Sequence, residues 1–341
     1  MEKSAPLISI CIPVFETEPY LEACLDSVIT QDFLSFEVVI VSDASRSKDS
    51  KGRNAKKIAG AMQKKCKQLR KSKALPPVKF HFIENNLNRG ILEVRRTLCN
   101  QAKGQYITQL DSDDQLEPGA LSALYEASQN GKIDIVHGTS TAGTFDMENN
   151  FLPSEKNRYG KIVYEQITGR DIFHRWLVGN EFAATTWGKI IRRELYLEAY
   201  NNIPYTQCNL ADDLLLFFFI SQYARSYIGI KEKVYRYRID TGMSSRRKID
   251  SVHKWRMICS TASVFTIIIQ WIEQNQNQNA IQPDELEMLK AMMRYYLSNN
   301  LQQLRQAVVP ELQAEAHALL CEYWGAEFVK RIENQYNRES D

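Results

Sequence analysis

Between Leu7 and Leu110 the chain alternates short, β-rich apolar runs with helically spaced segments, and this alternation restricts the fold more than any other feature. Leu7 to Val14 is one such run, closed by Pro13; Phe36 to Val41 is the next, closed by the turn formers Ser42, Asp43, Ala44 and Ser45. Between them, Pro19 to Thr30 places Tyr20, Leu21, Cys24, Leu25 and Val28 on one helical face and leaves Glu22 and Asp26 outward. Val78 to Ile83 reads as a third strand, Gly90 to Ala102 as a helix and Tyr106 to Leu110 as a fourth strand. Helix Pro118 to Gln129 and strand Ile133 to Val136 continue the pattern, and the polar stretch 143–160 reads as a loop or hairpin. Strands joined through helices run parallel, so the expected class is α/β: a doubly wound, mostly parallel sheet flanked by helices. Ligands of such sheets bind at the carboxyl ends of the strands, here around Asp43 and Asp111.

From Ser251 the grammar changes. Trp255, Ile258, Cys259, Ala262, Phe265, Ile269 and Ile272 share a helical face, an Asn/Gln-rich linker spans Gln274 to Gln282, and amphipathic stretches follow at Pro283–Leu304 and Pro310–Ile332. The expected domains are therefore 1–250, with parts about 1–115 and 116–250, and an α-helical C-terminal region over 251–341. Those helices would cover the first domain, shape an acceptor cleft or mediate homo-oligomer formation.

A formal charge of +2 lacks the basic excess typical of nucleic-acid binders, so no nucleic acid is expected as partner. Seven cysteines stand singly, with no CxxC pair, which argues against a zinc site or disulfide framework and fits a reducing cytoplasm. The run Val264 to Ile272 is about half a membrane span, and the N-terminus enters a strand without a signal-peptide pattern. Charge is concentrated locally instead. Asp49 to Lys73 is helix-like, with Lys or Arg at 51, 53, 56, 57, 64, 65, 67, 70, 71 and 73 and only Asp49 opposing them. That segment is either a solvated helix covering the sheet or a docking face for anionic lipid or a charged acceptor.

Asp111, Asp113 and Asp114 follow a buried strand directly. Three carboxylates within four residues repel one another unless a cation or hydrogen bonds neutralise them. In extended backbone, positions 111 and 113 would face one side. Hard oxygen ligands suit Mg²⁺ or Mn²⁺ joined to a substrate diphosphate, while Asp114 would cap the following helix. Asp212 and Asp213 lead into the apolar Leu214–Ile220, where they are either functional carboxylates or simply a helix N-terminus. His81 and His137 read as structural residues.

Ordered motifs over residues 6–246 resemble the family 2 glycosyltransferases of the GT-A fold. Ile8 to Phe15 with Glu18, Tyr20 and Leu21 is similar to that family's first strand and uracil loop. Val41-Ser42-Asp43-Ala44-Ser45 is similar to its Val-Asp-Asp-Gly-Ser, with Ser42 and Ala44 as departures. Asn88-Arg89-Gly90 followed by Arg95 matches its Asn-x-Gly and nucleotide-facing Arg, and Leu110 to Asp114 is its LDSDD unchanged. Trp187-Gly188-Lys189 resembles its Trp-x-Lys, and Ala211-Asp212-Asp213-Leu214 stands at its Glu-Asp pair. Tyr235 to Asp240 with Ser244 and Ser245 resembles its closing YRxH-x-x-S, with Asp240 in place of His.

The resemblance implies an inverting, metal-dependent transfer from a UDP-sugar to a glycan or lipid-linked acceptor, with Mg²⁺ or Mn²⁺ as cofactor. By residue it places Pro13, Phe15, Glu18, Asp43, Asn88, Gly90, Arg95 and Asp111 on the nucleotide sugar and Asp113 on the metal. Trp187 and Lys189 fall near the acceptor or donor sugar, Arg238 and Ser244 on the diphosphate, and Asp213, or its neighbour Asp212, becomes the catalytic base. It also implies work in bacterial surface polysaccharide or lipooligosaccharide synthesis, in the cytoplasm or peripherally on the inner face of its membrane. The alternatives are a sugar-1-phosphate nucleotidyltransferase, whose Gly-rich phosphate loop is missing between Ile12 and Tyr20, or a non-catalytic UDP-sugar-binding module.

Overall fold

The computed structural model describes residues 5–146, 148–154, 160–241, 248–275 and 280–339. Two compact units divide the chain, one from Met1–Asn201 with Leu216–Gly242 and the other from Asn202–Leu215 with Met243–Asp341. In chain order the first elements are β1 (Ile8–Val14), α1 (Glu18–Ile29), β2 (Phe36–Asp43), α2 (Ala55–Ser72), β3 (Lys79–Asn85), α3 (Ile91–Gln101) and β4 (Tyr106–Gln109). Then come β5 (Gln115–Leu116), α4 (Ala120–Ala127), β6 (Ile135–Phe145), β7 (Phe151–Pro153), β8 (Ile167–Thr168), α5 (Asp171–Leu177) and β9 (Lys189–Arg192). After these follow α6 (Arg193–Asn202), α7 (Asp212–Tyr223) and β10 (Ser226–Arg238).

The sheet order is β3-β2-β1-β4-β9-β6-β10-β5, with β7 on β6 and β8 on β10. Strands β3, β2, β1 and β4 are mutually parallel, as the βαβ alternation requires. Strand β9 enters antiparallel between β4 and β6, and β6 and β10 are again parallel. The winding reverses between β1 and β4, which makes the carboxyl ends of those two strands the switch point where α/β sheets bind ligands. Every residue of β1 and β2 is buried, because helices cover both faces; β3, at the sheet edge, alternates between exposed and half-buried residues. The expected short strand at Ile133–Val136 continues to Phe145 and turns back through β7 as a hairpin.

Helix α2 starts later than its charge pattern suggests. Asp49 Oδ1 accepts the backbone N–H of Lys51 and Arg53, and Asn54 caps the helix by accepting from Lys57 N at 3.1 Å. The acidic opposition missing from the segment comes from α1, where Glu22 takes Lys51 and Arg53 and Asp26 takes Lys65. Arg70 is buried and donates to the carbonyls of Phe33, Leu34 and Pro76, stapling the ends of neighbouring loops. Lys56, Lys57, Lys64, Lys67 and Lys71 remain exposed, and among the described residues none has a carboxylate partner. At 3.6 residues per turn these five lysines fall within an arc of roughly 100°, away from the buried Ile58, Met62 and Cys66.

The second unit holds α8 (Val252–Cys259), α9 (Thr261–Gln274), α10 (Pro283–Gln306), α11 (Gln313–Trp324) and α12 (Ala326–Glu339). A capping box between Gln282 and Glu285 and a proline at the first position start α10. The amphipathic stretch expected over Pro310–Ile332 is broken at Gly325, whose φ of +82° ends α11. Trp255 Nε1 donates to Ala316 O at 2.7 Å and Trp324 Nε1 to Asn300 Oδ1 at 3.0 Å, so the apolar faces close on indoles whose polar atoms are satisfied. Val252–Gln274 is long and apolar enough to cross a membrane, and half of its apolar window is buried within the protein.

Candidate active site

At the switch point two loops are sewn together. Glu16 N donates to Ser45 Oγ at 2.8 Å, and Arg46 N donates back to Glu16 Oε1 at 2.8 Å. Glu18, 1% exposed, takes the hydroxyls of Ser45 and Ser47 on Oε2, while its Oε1 meets no donor among the described residues. Phe15 stands 45% exposed at the rim, one residue beyond β1, and Pro13 sits within the sheet opposite Val41. Ala44 adopts φ +55°, where an L-residue costs about 1–2 kcal/mol. That is the position at which the resembling motif carries glycine.

Asp43, 2% exposed, ends β2 and braces the following loop. Its carboxylate accepts Asn85 Nδ2 at 2.7 Å, Arg89 N at 3.0 Å and Gly90 N at 3.1 Å, while Asn88 Nδ2 reaches its backbone carbonyl at 3.4 Å. Gly90, at φ +83°, then opens α3. From the buried face of α3, Arg95 donates to Asp111 Oδ1 at 2.9 Å and to Thr186 Oγ1 at 2.8 Å. The guanidinium expected at a phosphate or ribose edge is thus paired to the first aspartate of the acidic cluster.

Residues 111–114 form a tight turn closed by Asp114 N donating to Asp111 O at 3.0 Å. The expectation of extended backbone is corrected: positions 111 and 113 do not lie on one strand face. Asp114 does not cap a helix either, because α4 begins only at Ala120 behind Gly119. Instead its carboxylate, 1% exposed, accepts Tyr235 Oη at 2.7 Å and Arg238 N at 2.7 Å. Burial, then the neighbouring charges of Asp113 and Asp111, hold its carboxyl well above the usual carboxylate range. Asp113 is partly exposed, and Thr241 Oγ1 donates to its Oδ2 at 2.6 Å.

The Arg238 guanidinium, 7% exposed, lies between the rings of Tyr20 at 4.6 Å and Phe145 at 4.2 Å, with Nε donating to Asp113 O at 3.0 Å and Asp240 at 3.5 Å from its Nη1. Its partner in expectation, Ser244, lies outside the described residues. Trp187 is buried in a stack with Tyr235 at 4.8 Å and Tyr237 at 5.3 Å. Gly188, at φ +70°, lets the chain turn so that Lys189 enters β9, fully buried, with Nζ donating to Thr185 O at 2.5 Å. Asp212 and Asp213 are the first two residues of α7, where a helix N-terminus favours negative charge; Asp212 is 8% exposed and Asp213 is more accessible.

Among the described residues no three His, Cys, Asp or Glu side chains converge into a ready-made metal cage. The donor set fits a cation held jointly with a diphosphate, because Asp113 is a partly exposed hard carboxylate, whereas both oxygens of Asp114 are taken by protein donors. Thr241 and Phe145 were not picked out from sequence, and Tyr20 entered only as part of the opening motif. A single hydroxyl 128 residues from its acceptor leaves no periodic trace, and two aromatic rings meeting at one arginine leave none either.

Residues 9–198 match the profile of glycosyl transferase family 2. The glycosyltransferase GlyA of Streptococcus pneumoniae is 25% identical over 338 residues, covering 98% of this chain; the chain spans 42% of the length of GlyA. The colanic acid biosynthesis glycosyl transferase WcaA of Escherichia coli, named as putative, is 27% identical over 188 residues, 54% of this chain and 59% of WcaA. Among solved structures, S. aureus TarS 1–349 in complex with UDP-GlcNAc shares the fold with a TM-score of 0.51 at 16% identity, covering 98% of this chain and 92% of that one.

Proposed function

The chain belongs to glycosyl transferase family 2, and from that membership we propose that it is an inverting, metal-dependent glycosyltransferase that moves a sugar from a UDP-sugar to a hydroxyl of a glycan or lipid-linked acceptor. One observation carries the reading: at the sheet's switch point, the acidic turn presents Asp113 while Asp114 is turned inward onto Tyr235 and Arg238. Phe15, exposed at the rim, would stack on the base, and the loops braced by Glu18 and Asp43 would hold the nucleoside end. Asp113 would hold Mg²⁺ or Mn²⁺, which balances charge on the departing diphosphate. Asp213 takes the proton of the acceptor hydroxyl as its oxygen attacks the anomeric carbon, and inversion follows from that single displacement. The similarity to WcaA, named for colanic acid biosynthesis, supports a place in bacterial surface polysaccharide synthesis.

The test is UDP release from a panel of UDP-sugars, with and without glycan and polyprenol-linked acceptors. Acceptor-stimulated release that requires divalent metal is expected; no release from any donor would reduce the chain to a binding module. The bare lysine face of α2 supports peripheral attachment to an anionic inner membrane surface, since each lysine near such a surface contributes about 1 kcal/mol. The protein should co-sediment with anionic but not zwitterionic vesicles and come off in high salt. Equal binding to both vesicle types would exclude this role for α2.

A further inference from the structure

The acidic turn is supported from a distant part of the chain. Besides its own closing bond, residues 111–114 share five hydrogen bonds with residues 235–241, accepting four and donating one. Tyr235 Oη accepts Asp111 N at 3.2 Å and donates to Asp114 Oδ2 at 2.7 Å. Arg238 contributes N to Asp114 Oδ1 at 2.7 Å and Nε to Asp113 O at 3.0 Å, and Thr241 Oγ1 reaches Asp113 Oδ2 at 2.6 Å. Three carboxylates crowded into four residues do not choose one conformation unaided. The phenol oxygen is the group that engages both ends of the turn, as acceptor at one and donor at the other. Its ring cannot swing away, because it is fully buried and stacked on Trp187 at 4.8 Å and 20°.

We propose that Tyr235, acting through buried Asp114, is a positioning residue for the donor site, fixing the turn so that Asp113 presents its carboxylate to the cation and diphosphate. This rests on the reading of Asp113 given under the proposed function. Asp114 is then an anchor inside the protein, and the acidic cluster divides into one presenting and one holding carboxylate. Tyr235→Phe keeps the ring and its stack but removes both hydrogen bonds, leaving Asp111 N–H and an Asp114 oxygen without their partner.

The experiment is calorimetric titration of UDP in the presence of Mn²⁺, with steady-state kinetics, on wild type, Tyr235→Phe, Asp114→Asn and the double variant. Tyr235→Phe should weaken Mn²⁺-dependent UDP binding about 10-fold or more, a common effect for residues that orient a metal ligand. The donor KM should rise more than kcat falls. The double variant should bind no more weakly than the weaker single, since both changes break one contact. Affinity and KM unchanged in Tyr235→Phe, even with a lowered melting temperature, would overturn the positioning role, as would additive losses in the double variant. Should Tyr235→Phe be recovered unfolded, Asp114→Asn gives the same readout. A wild type that binds no UDP with Mn²⁺ defeats the donor-site reading itself, an outcome separate from wild type and Tyr235→Phe binding alike.

Discussion

Asp213→Asn is expected to lower sugar transfer about 10²- to 10⁴-fold, the contribution of a positioned general base, while leaving UDP and metal binding at the wild-type level. The substitution keeps size and shape and removes only the capacity to take a proton. Its neighbour is the natural control. Asp212 is 8% exposed, whereas Asp213, one residue further into α7, is more accessible. A base has to reach the acceptor hydroxyl, so Asp212→Asn should act on stability more than on turnover. Burial, and after it the neighbouring Asp212, push the Cys208 thiol up to about 12. Measured as kcat beside UDP affinity, full activity in Asp213→Asn would remove it as the base.

The second large effect is expected at the turn. Asp113→Ala should weaken divalent-metal-dependent UDP binding about 100-fold, roughly 2.7 kcal/mol, and reduce transfer at least in proportion. Its carboxylate is partly open to solvent and, among the described residues, carries one protein donor on Oδ2, from Thr241, so little else in the described fold depends on it. Its melting temperature should therefore stay close to that of wild type. Asp114→Ala is the contrast: removing a buried acceptor strands Tyr235 Oη and Arg238 N, and loss of stability should accompany loss of binding. UDP affinity that keeps the same metal dependence in Asp113→Ala would rule this carboxylate out as the ligand.

The parts of the fold set by local pattern were legible in the residues. Leu21, Cys24, Leu25 and Val28 predict the buried face of α1, and the mostly apolar runs of β1 and β2 predict a sheet covered on both sides. The resemblance supplied motif order and the identity of the acidic turn. What neither could provide was the partner of each polar group. Arg95 finds Asp111 instead of open space, Arg238 is held between Tyr20 and Phe145, and Lys189 is spent on Thr185 inside β9. Each pairing joins residues distant in sequence or turns on backbone direction after a left-handed residue such as Gly188. The opposition to the basic segment 49–73 was missed for the same reason, since Glu22 and Asp26 lie on another helix.

Because the bonds on Asp114 and Asp113 come from residues 121 to 128 positions later in the chain, the order of synthesis matters. At typical translation speeds that gap lasts roughly 6 to 25 s. Through that interval β1 to β4 have left the ribosome with the acidic turn already made but its distant supports unmade. A nascent chain stopped before β10 would hold the sheet's first half and still lack the fixed carboxylate geometry. If the turn holds the donor as proposed, competence for it would arrive late, with the thirteen residues of β10 and the threonine beyond them.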